Sequence, residues 1–182
     1  MKLYHTGFEI IKQPDLDVGR RNADFGKGFY LSDDKQFAVR WARKRRDLST
    51  YINTYELNTD GLKIKKLRKD KNWFKYIFFN RRNSKDIYAD YDVVIGPIAN
   101  DTIFDTLGII TSGIFSDQES LQLMKVGNRY DQIVIKSPKA LENLTWESAE
   151  EISEEEIEKY RELVKKEEER YQKKLADLIE KF

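Results

Sequence analysis

The chain has a single histidine, His5, which follows a short apolar stretch and is itself followed by Thr6 and Gly7. An imidazole at such a place can hydrogen-bond a ligand or move a proton, although a lone histidine more often serves structure. With one histidine and no cysteine, a zinc-type site lacks ligands, and no carboxylate spacing suggests a harder cation, so no metal is expected. The second segment with chemical potential is Phe25-Gly26-Lys27-Gly28-Phe29-Tyr30. It lacks both the Gly-Lys-Ser/Thr ending of a P-loop and the Gly-x-Gly-x-x-Gly fingerprint of doubly wound dinucleotide folds. Its glycines either let a ligand approach the backbone or simply supply a tight turn.

The elements that must position these residues read as follows. Leu3 to His5 forms a first strand, and an irregular stretch through Pro14 ends in Gly19-Arg20-Arg21-Asn22. The glycine-rich turn leads into a short extended segment ending at Ser32. Ser32 or Asp33 then caps a helix from Lys35 to Arg46, with Phe37, Ala38, Trp41 and Ala42 on one face. Tyr51 to Leu57 and Leu62 to Leu67 alternate as strands. Asn72 to Arg81 is expected to be helical with Trp73, Ile77 and Phe78 inward. Tyr91 to Ile95 is a compact strand that Gly96-Pro97 ends. Asp101 to Leu107 and Asp117 to Met124 suggest short helices, and Asp131 to Lys136 is the last strand expected in the body. Short strands mixed with helices make this an α+β protein.

The pattern changes towards the C-terminus. Ser153 with Glu156 is a capping-box signal, and Ile157, Tyr160, Val164, Tyr171, Leu175, Leu178 and Phe182 draw a broken apolar stripe along a charged helix. The expected organisation is a domain over residues 1–146 and a charged helical extension over 147–182. The extension holds 13 acidic and 8 basic residues, whereas the remainder holds 19 acidic and 25 basic. An acidic tail on a basic body can fold back on it, or the body can attract anionic partners. No stretch has signal-peptide character or the length to span a bilayer, so a soluble, cytoplasmic protein without a membrane partner is expected.

Taken together, His5-Thr6-Gly7, the Phe25–Tyr30 segment and the late strand Asp131-Gln132-Ile133-Val134-Ile135 resemble the catalytic fold of ADP-ribosyltransferases. The resemblance is to the branch with a His-Tyr-Glu signature on three strands, that of diphtheria toxin and the poly-ADP-ribose polymerases. Within it, the chain looks like the small uncharacterised bacterial domains of the DUF3990 kind, to which the run Tyr91 to Asp101 is also similar. The resemblance covers about residues 2–146. It implies split mixed and antiparallel sheets with flanking helices, and NAD as a co-substrate.

Residue by residue, the resemblance assigns His5 to the ribose beside the nicotinamide and the Thr6-Gly7 backbone to the nicotinamide amide. Tyr30 becomes the aromatic on which the ring stacks, and Trp41 a second aromatic closing its other face. Gly28 belongs to the cofactor-approaching turn, while Arg20 or Arg21 pairs with the pyrophosphate on the ground of charge alone. The third signature position falls on Gln132, where the family usually has glutamate. Glutamine keeps a carbonyl acceptor and loses the negative charge. Glu119 is an alternative carboxylate, and its plainer role is to cap a surface helix.

The activity so implied is mono-ADP-ribosyl transfer from NAD to a protein or nucleic-acid acceptor with release of nicotinamide, or hydrolysis if water attacks. Small free-standing members resemble toxins, which implies a neutralising antitoxin or partner chain, with the C-terminal helix as a contact surface. The alternatives are a degenerate NAD- or nucleotide-binding module marked by Gln132, and a protein-interaction module dominated by the tail.

Overall fold

A computed structural model describes residues 1–19, 21–82, 86–99, 116, 118, 119, 122, 123, 126 and 130–181. Two sheets organise it. The first is antiparallel, with β3 (Thr50–Leu57) between β1 (Lys2–Gly7) and β7 (Leu144–Ile152). The second has the order β2 (Phe29–Leu31), β6 (Asp131–Ile135), β5 (Val93–Pro97), β4 (Ile64–Lys66). Its β4–β5 pair is parallel and the others are antiparallel. A parallel pair needs a crossover, and α2 (Lys71–Arg81) lies in this one. Three other helices are described: α1 (Lys35–Val39), α3 (Pro138–Glu142) and α4 (Glu154–Ile179).

The strands of the second sheet carry apolar side chains on both faces, as expected of a sheet covered on both sides. From β6, Ile133 and Ile135 join Leu3, Phe29, Tyr55 and Leu57 in a core that both sheets share. Val134 joins Phe25, Trp73, Tyr76 and Ile77 in a core under α2. The sheets are joined by a bridge between Tyr4 and Ser32, whose backbone amides and carbonyls pair at 2.8 and 2.9 Å. That bridge sets β1 against the end of β2, and so His5 against Tyr30.

Several elements differ from the sequence reading. The helix expected over Lys35 to Arg46 is only Lys35–Val39, and its cap is Asp34, whose side chain accepts from the Phe37 amide at 3.0 Å. Beyond Val39 the amides of Arg40, Trp41 and Ala42 bond back three residues to Phe37, Ala38 and Val39, a tightened turn that ends the helix. The like charges from Arg40 to Arg46 oppose helical continuation, and the Arg43 guanidinium caps the Arg40 and Ala42 carbonyls at 3.0 Å. The strand expected over Leu62 to Leu67 is reduced to Ile64–Lys66.

Residues 147–152, expected to open the helical extension, instead complete β7, which pairs with β3 along its length. The helix begins after Ser153, whose side chain accepts from the Glu156 amide at 3.2 Å. Of its apolar stripe, Ile157, Tyr171 and Leu175 are buried, whereas Val164 is exposed and Phe182 lies outside the described residues. The tail does fold back on the basic body: Lys35 pairs with Glu150, Lys44 with Glu154 and Arg40 with Glu167. Asp101 to Leu107 lies outside the described residues. Of Asp117 to Met124, residues 118, 119, 122 and 123 are described, and all four are helical.

Candidate functional site

A cleft of about 650 Å³ opens where the two sheets meet, within the size range of small-molecule sites. β1 supplies Tyr4, His5 and Thr6 to its wall, the segment before β2 supplies Asn22, Ala23 and Asp24, and β2 supplies Tyr30 and Leu31. Phe37, Ala38 and Trp41 line it from α1 and the turn that follows. Arg81, Ile98, Ala99 and Gln132 close the other side.

His5 is held from two directions. Its Nδ1 lies 2.8 Å from the carbonyl oxygen of Tyr30, and since a carbonyl only accepts, Nδ1 carries the proton. The ring packs 4.6 Å from that of Phe29. Burial lowers the pKa, against the raising effect of the Tyr30 carbonyl, so the imidazole is neutral with Nε2 as its acceptor. A Cβ on Gly7 would sit 3.4 Å from Nε2; glycine leaves room there. Thr6 ties β1 to α1 through a 2.6 Å bond from its hydroxyl to the Ala38 carbonyl.

The Tyr30 hydroxyl donates to the Gly26 carbonyl at 2.7 Å and accepts from the Phe25 amide at 3.0 Å. Burial pushes the phenol pKa upward. The hydroxyl is therefore a structural tie, and the ring is what the cleft has to offer a ligand. Gly26, with φ of +72°, turns the chain into this arrangement. Gly28 does not line the cleft; a Cβ there would lie 2.5 Å from the Ile135 carbonyl oxygen and 2.7 Å from Val134. The second glycine is thus needed to let this segment lie against β6.

Gln132 is buried on the interior strand β6. β6 runs between β2 and β5, so Gln132 is not a surface residue of an edge strand. Its Nε2 is 3.5 Å from Oδ2 of Asp24, which also accepts from the Ala99 amide at 3.1 Å. The other carboxylate oxygen of Asp24 accepts from Arg81 Nε at 2.6 Å and lies 2.5 Å from Nη2. Burial pushes the Asp24 carboxyl upward, while Arg81 and the Ala99 amide oppose the shift. Asp24 and Arg81 were not singled out in the sequence. They stand 57 residues apart in no recognisable spacing, so only the fold reveals them.

Trp41 lines the cleft but is 54% exposed and meets Phe37 edge-on at 6.1 Å. Phe37 in turn stacks on Tyr130 at 4.3 Å, and the Arg40 guanidinium lies 4.8 Å from the Tyr130 ring. Glu119 is not among the cleft residues. Its carboxylate accepts from the Ser116 amide at 2.7 Å and from the Ser116 hydroxyl, which is the plainer capping role. Arg21 is exposed and also does not line the cleft, and Arg20 lies outside the described residues. Among the described residues no group of three His, Asp or Glu is placed to hold a metal.

Residues 1–146 match the family model described as "Protein of unknown function (DUF3990)". The chain belongs to the DUF3990 family. The match ends at Trp146, inside β7, so the last six residues of that strand and all of α4 lie beyond the matched DUF3990 region. No curated relative matches the chain. Among the described residues of this DUF3990 protein, no helix is long and apolar enough to cross a membrane.

Proposed function

We propose that this DUF3990 domain breaks the bond between ribose and nicotinamide in NAD and transfers the ADP-ribose to a protein or nucleic-acid acceptor. The observation that carries this reading is the convergence of His5, Tyr30 and Gln132, from three strands of two sheets, on one cleft. The sheet division, with β1 and β2 meeting at the Tyr4–Ser32 bridge, agrees with the split arrangement that the resemblance implies. The lining also suits the substrate: Tyr30, Phe37 and Trp41 offer aromatic surface, while His5, Asn22 and Gln132 offer hydrogen bonds.

In this reading the neutral His5, fixed by the Tyr30 carbonyl, accepts from a ribose hydroxyl through Nε2. Tyr30 provides a rigid stacking face because its hydroxyl is already engaged. When the C–N glycosidic bond breaks, its electron pair leaves with nicotinamide and positive charge develops on the ribose. The Gln132 carbonyl dipole faces that charge with less stabilisation than a carboxylate would give. The acceptor nucleophile forms the new bond to the anomeric carbon and gives up its proton to solvent, while nicotinamide departs as a neutral base.

A second reading is favoured by the neutral amide of Gln132: a module that binds NAD or a related nucleotide without cleaving it. The test is nicotinamide release from NAD by the purified protein, with and without cell extract, beside a direct binding measurement. Release that vanishes in His5→Ala supports the transferase; dependence on extract identifies an external acceptor. Binding without release supports the module. Absence of both removes NAD from the account.

A further inference from the structure

Within the cleft, the carboxylate that the third signature position lacks is present on another segment. Asp24 Oδ2 receives the Ala99 amide and faces Nε2 of Gln132, while Oδ1 is held by Arg81. The Asp24 carbonyl also accepts from Asn80 Nδ2 at 3.2 Å, so its backbone and side chain are both anchored to α2. We propose that Asp24 is a positioning residue that fixes the orientation of the Gln132 amide, keeping its carbonyl as the end available to the ribose. This inference rests on the transferase reading of the cleft.

The reason is hydrogen-bond complementarity. The two ends of a glutamine amide are sterically alike, so hydrogen-bonding partners decide which way it faces. A carboxylate offers acceptors only, and it can be satisfied by the NH₂ end alone. Asp24 therefore selects one of two rotamers, and Arg81 and Ala99 keep Asp24 in place to do so. A glutamate at position 132 would set two carboxylates against each other, and like charges so close cannot both ionise freely. Gln132 is thus matched to Asp24, and Gln132→Glu alone weakens the site although it supplies the carboxylate usual at that position. Exchanging the pair, with Asn at 24 and Glu at 132, restores a donor facing an acceptor with the same total charge, while the Ala99 amide loses the oxygen it shares with Gln132.

The experiment compares wild type, Asp24→Asn, Gln132→Glu and the double variant Asp24→Asn/Gln132→Glu. The readouts are NAD affinity by calorimetry and kcat and KM for nicotinamide release, with thermal unfolding to verify folding. Each single variant is expected to lose at least about tenfold in kcat/KM, the scale of one misdirected hydrogen bond. The double variant is expected to recover part of that loss, with the recovery in kcat, because the Ala99 amide and Arg81 stay less well paired. Because Asp24→Asn also weakens the Arg81 pair, its thermal unfolding is read against wild type to separate lost stability from lost orientation. The Gln132 side-chain NH₂, selectively labelled, should show a nuclear Overhauser contact to the Ala99 amide proton, since both donate to one oxygen. Absence of that contact, a fully active Asp24→Asn, or a double variant no better than the worse single one overturns the proposal while wild type still binds NAD. A wild type that neither binds nor cleaves NAD overturns the transferase reading, and this inference with it.

Discussion

His5 Nδ1 donates to the Tyr30 carbonyl oxygen across 2.8 Å, so one bond joins two cleft residues that belong to different sheets. Just beside it the Tyr4–Ser32 bridge pins the same two strands. The geometry of the cleft floor is therefore set by backbone pairing, and the imidazole reports on its integrity.

Burial lowers the His5 pKa below its ordinary 6.5. On acidification the unfolded chain takes up the proton first, so stability from the neutral imidazole is complete above about pH 6.5 and is lost as pH falls towards the folded value. Thermal unfolding between pH 7.5 and 5 should fall more steeply in wild type than in His5→Asn, whose amide can still donate to the Tyr30 carbonyl. Equal slopes would show that His5 does not titrate as a buried neutral group.

Tyr30→Phe removes a donor to Gly26 and an acceptor for Phe25 but keeps the ring. Leaving these backbone groups without their partner should cost about 1–3 kcal/mol in chemical denaturation. NAD affinity should change by less than about threefold if only the ring meets the ligand. A loss of affinity without a loss of stability would instead assign the hydroxyl to the ligand.

Gly28→Ala tests the meaning of the glycine-rich segment. With Ile135 O at 2.5 Å from the added Cβ, the segment must separate from β6, and a loss of about 3 kcal/mol is expected. A stable variant with weakened NAD binding would place the glycine at the ligand after all.

Trp41→Ala should behave in the opposite way. The side chain is more than half exposed, so unfolding should shift by less than about 1 kcal/mol. If the indole covers the bound nicotinamide, NAD affinity should fall by about tenfold, the worth of one stacked aromatic. Unchanged affinity in titration calorimetry would remove it from the site.

On α4, the Tyr171 hydroxyl is buried with no hydrogen-bond partner among the described residues, and burial pushes its pKa up to about 12. Tyr171→Phe keeps the packing in the core under α2 and removes the unsatisfied group. It should raise stability by about 1 kcal/mol, read as a higher midpoint in denaturant. A decrease would mean that the hydroxyl has a partner in solution.

Sequence by itself determined β3 through its alternation and α2 through its helical spacing, although Phe78, expected inward, is only half-buried. β5 and β6, buried on both faces, were legible as short apolar runs, and β5 continues through Gly96-Pro97, the pair expected to end it. The resemblance likewise pointed to His5, Tyr30 and Gln132, all of which line the cleft. Tertiary structure alone decided three other things. β7 is an outer strand that borders only β3, and its Thr145-Trp146-Glu147-Ser148 run is half polar, so its sequence resembles a charged extension and only the pairing with β3 marks it as a strand. α1 stops at Val39 although apolar spacing continues, because charge repulsion and competing caps act between groups that a periodic pattern does not weigh. The Asp24–Arg81–Gln132 cluster joins residues from a loop, a helix and a strand. Hydrogen-bond partners so distant in sequence leave no period, and only the packing of β6 beneath that loop brings them together.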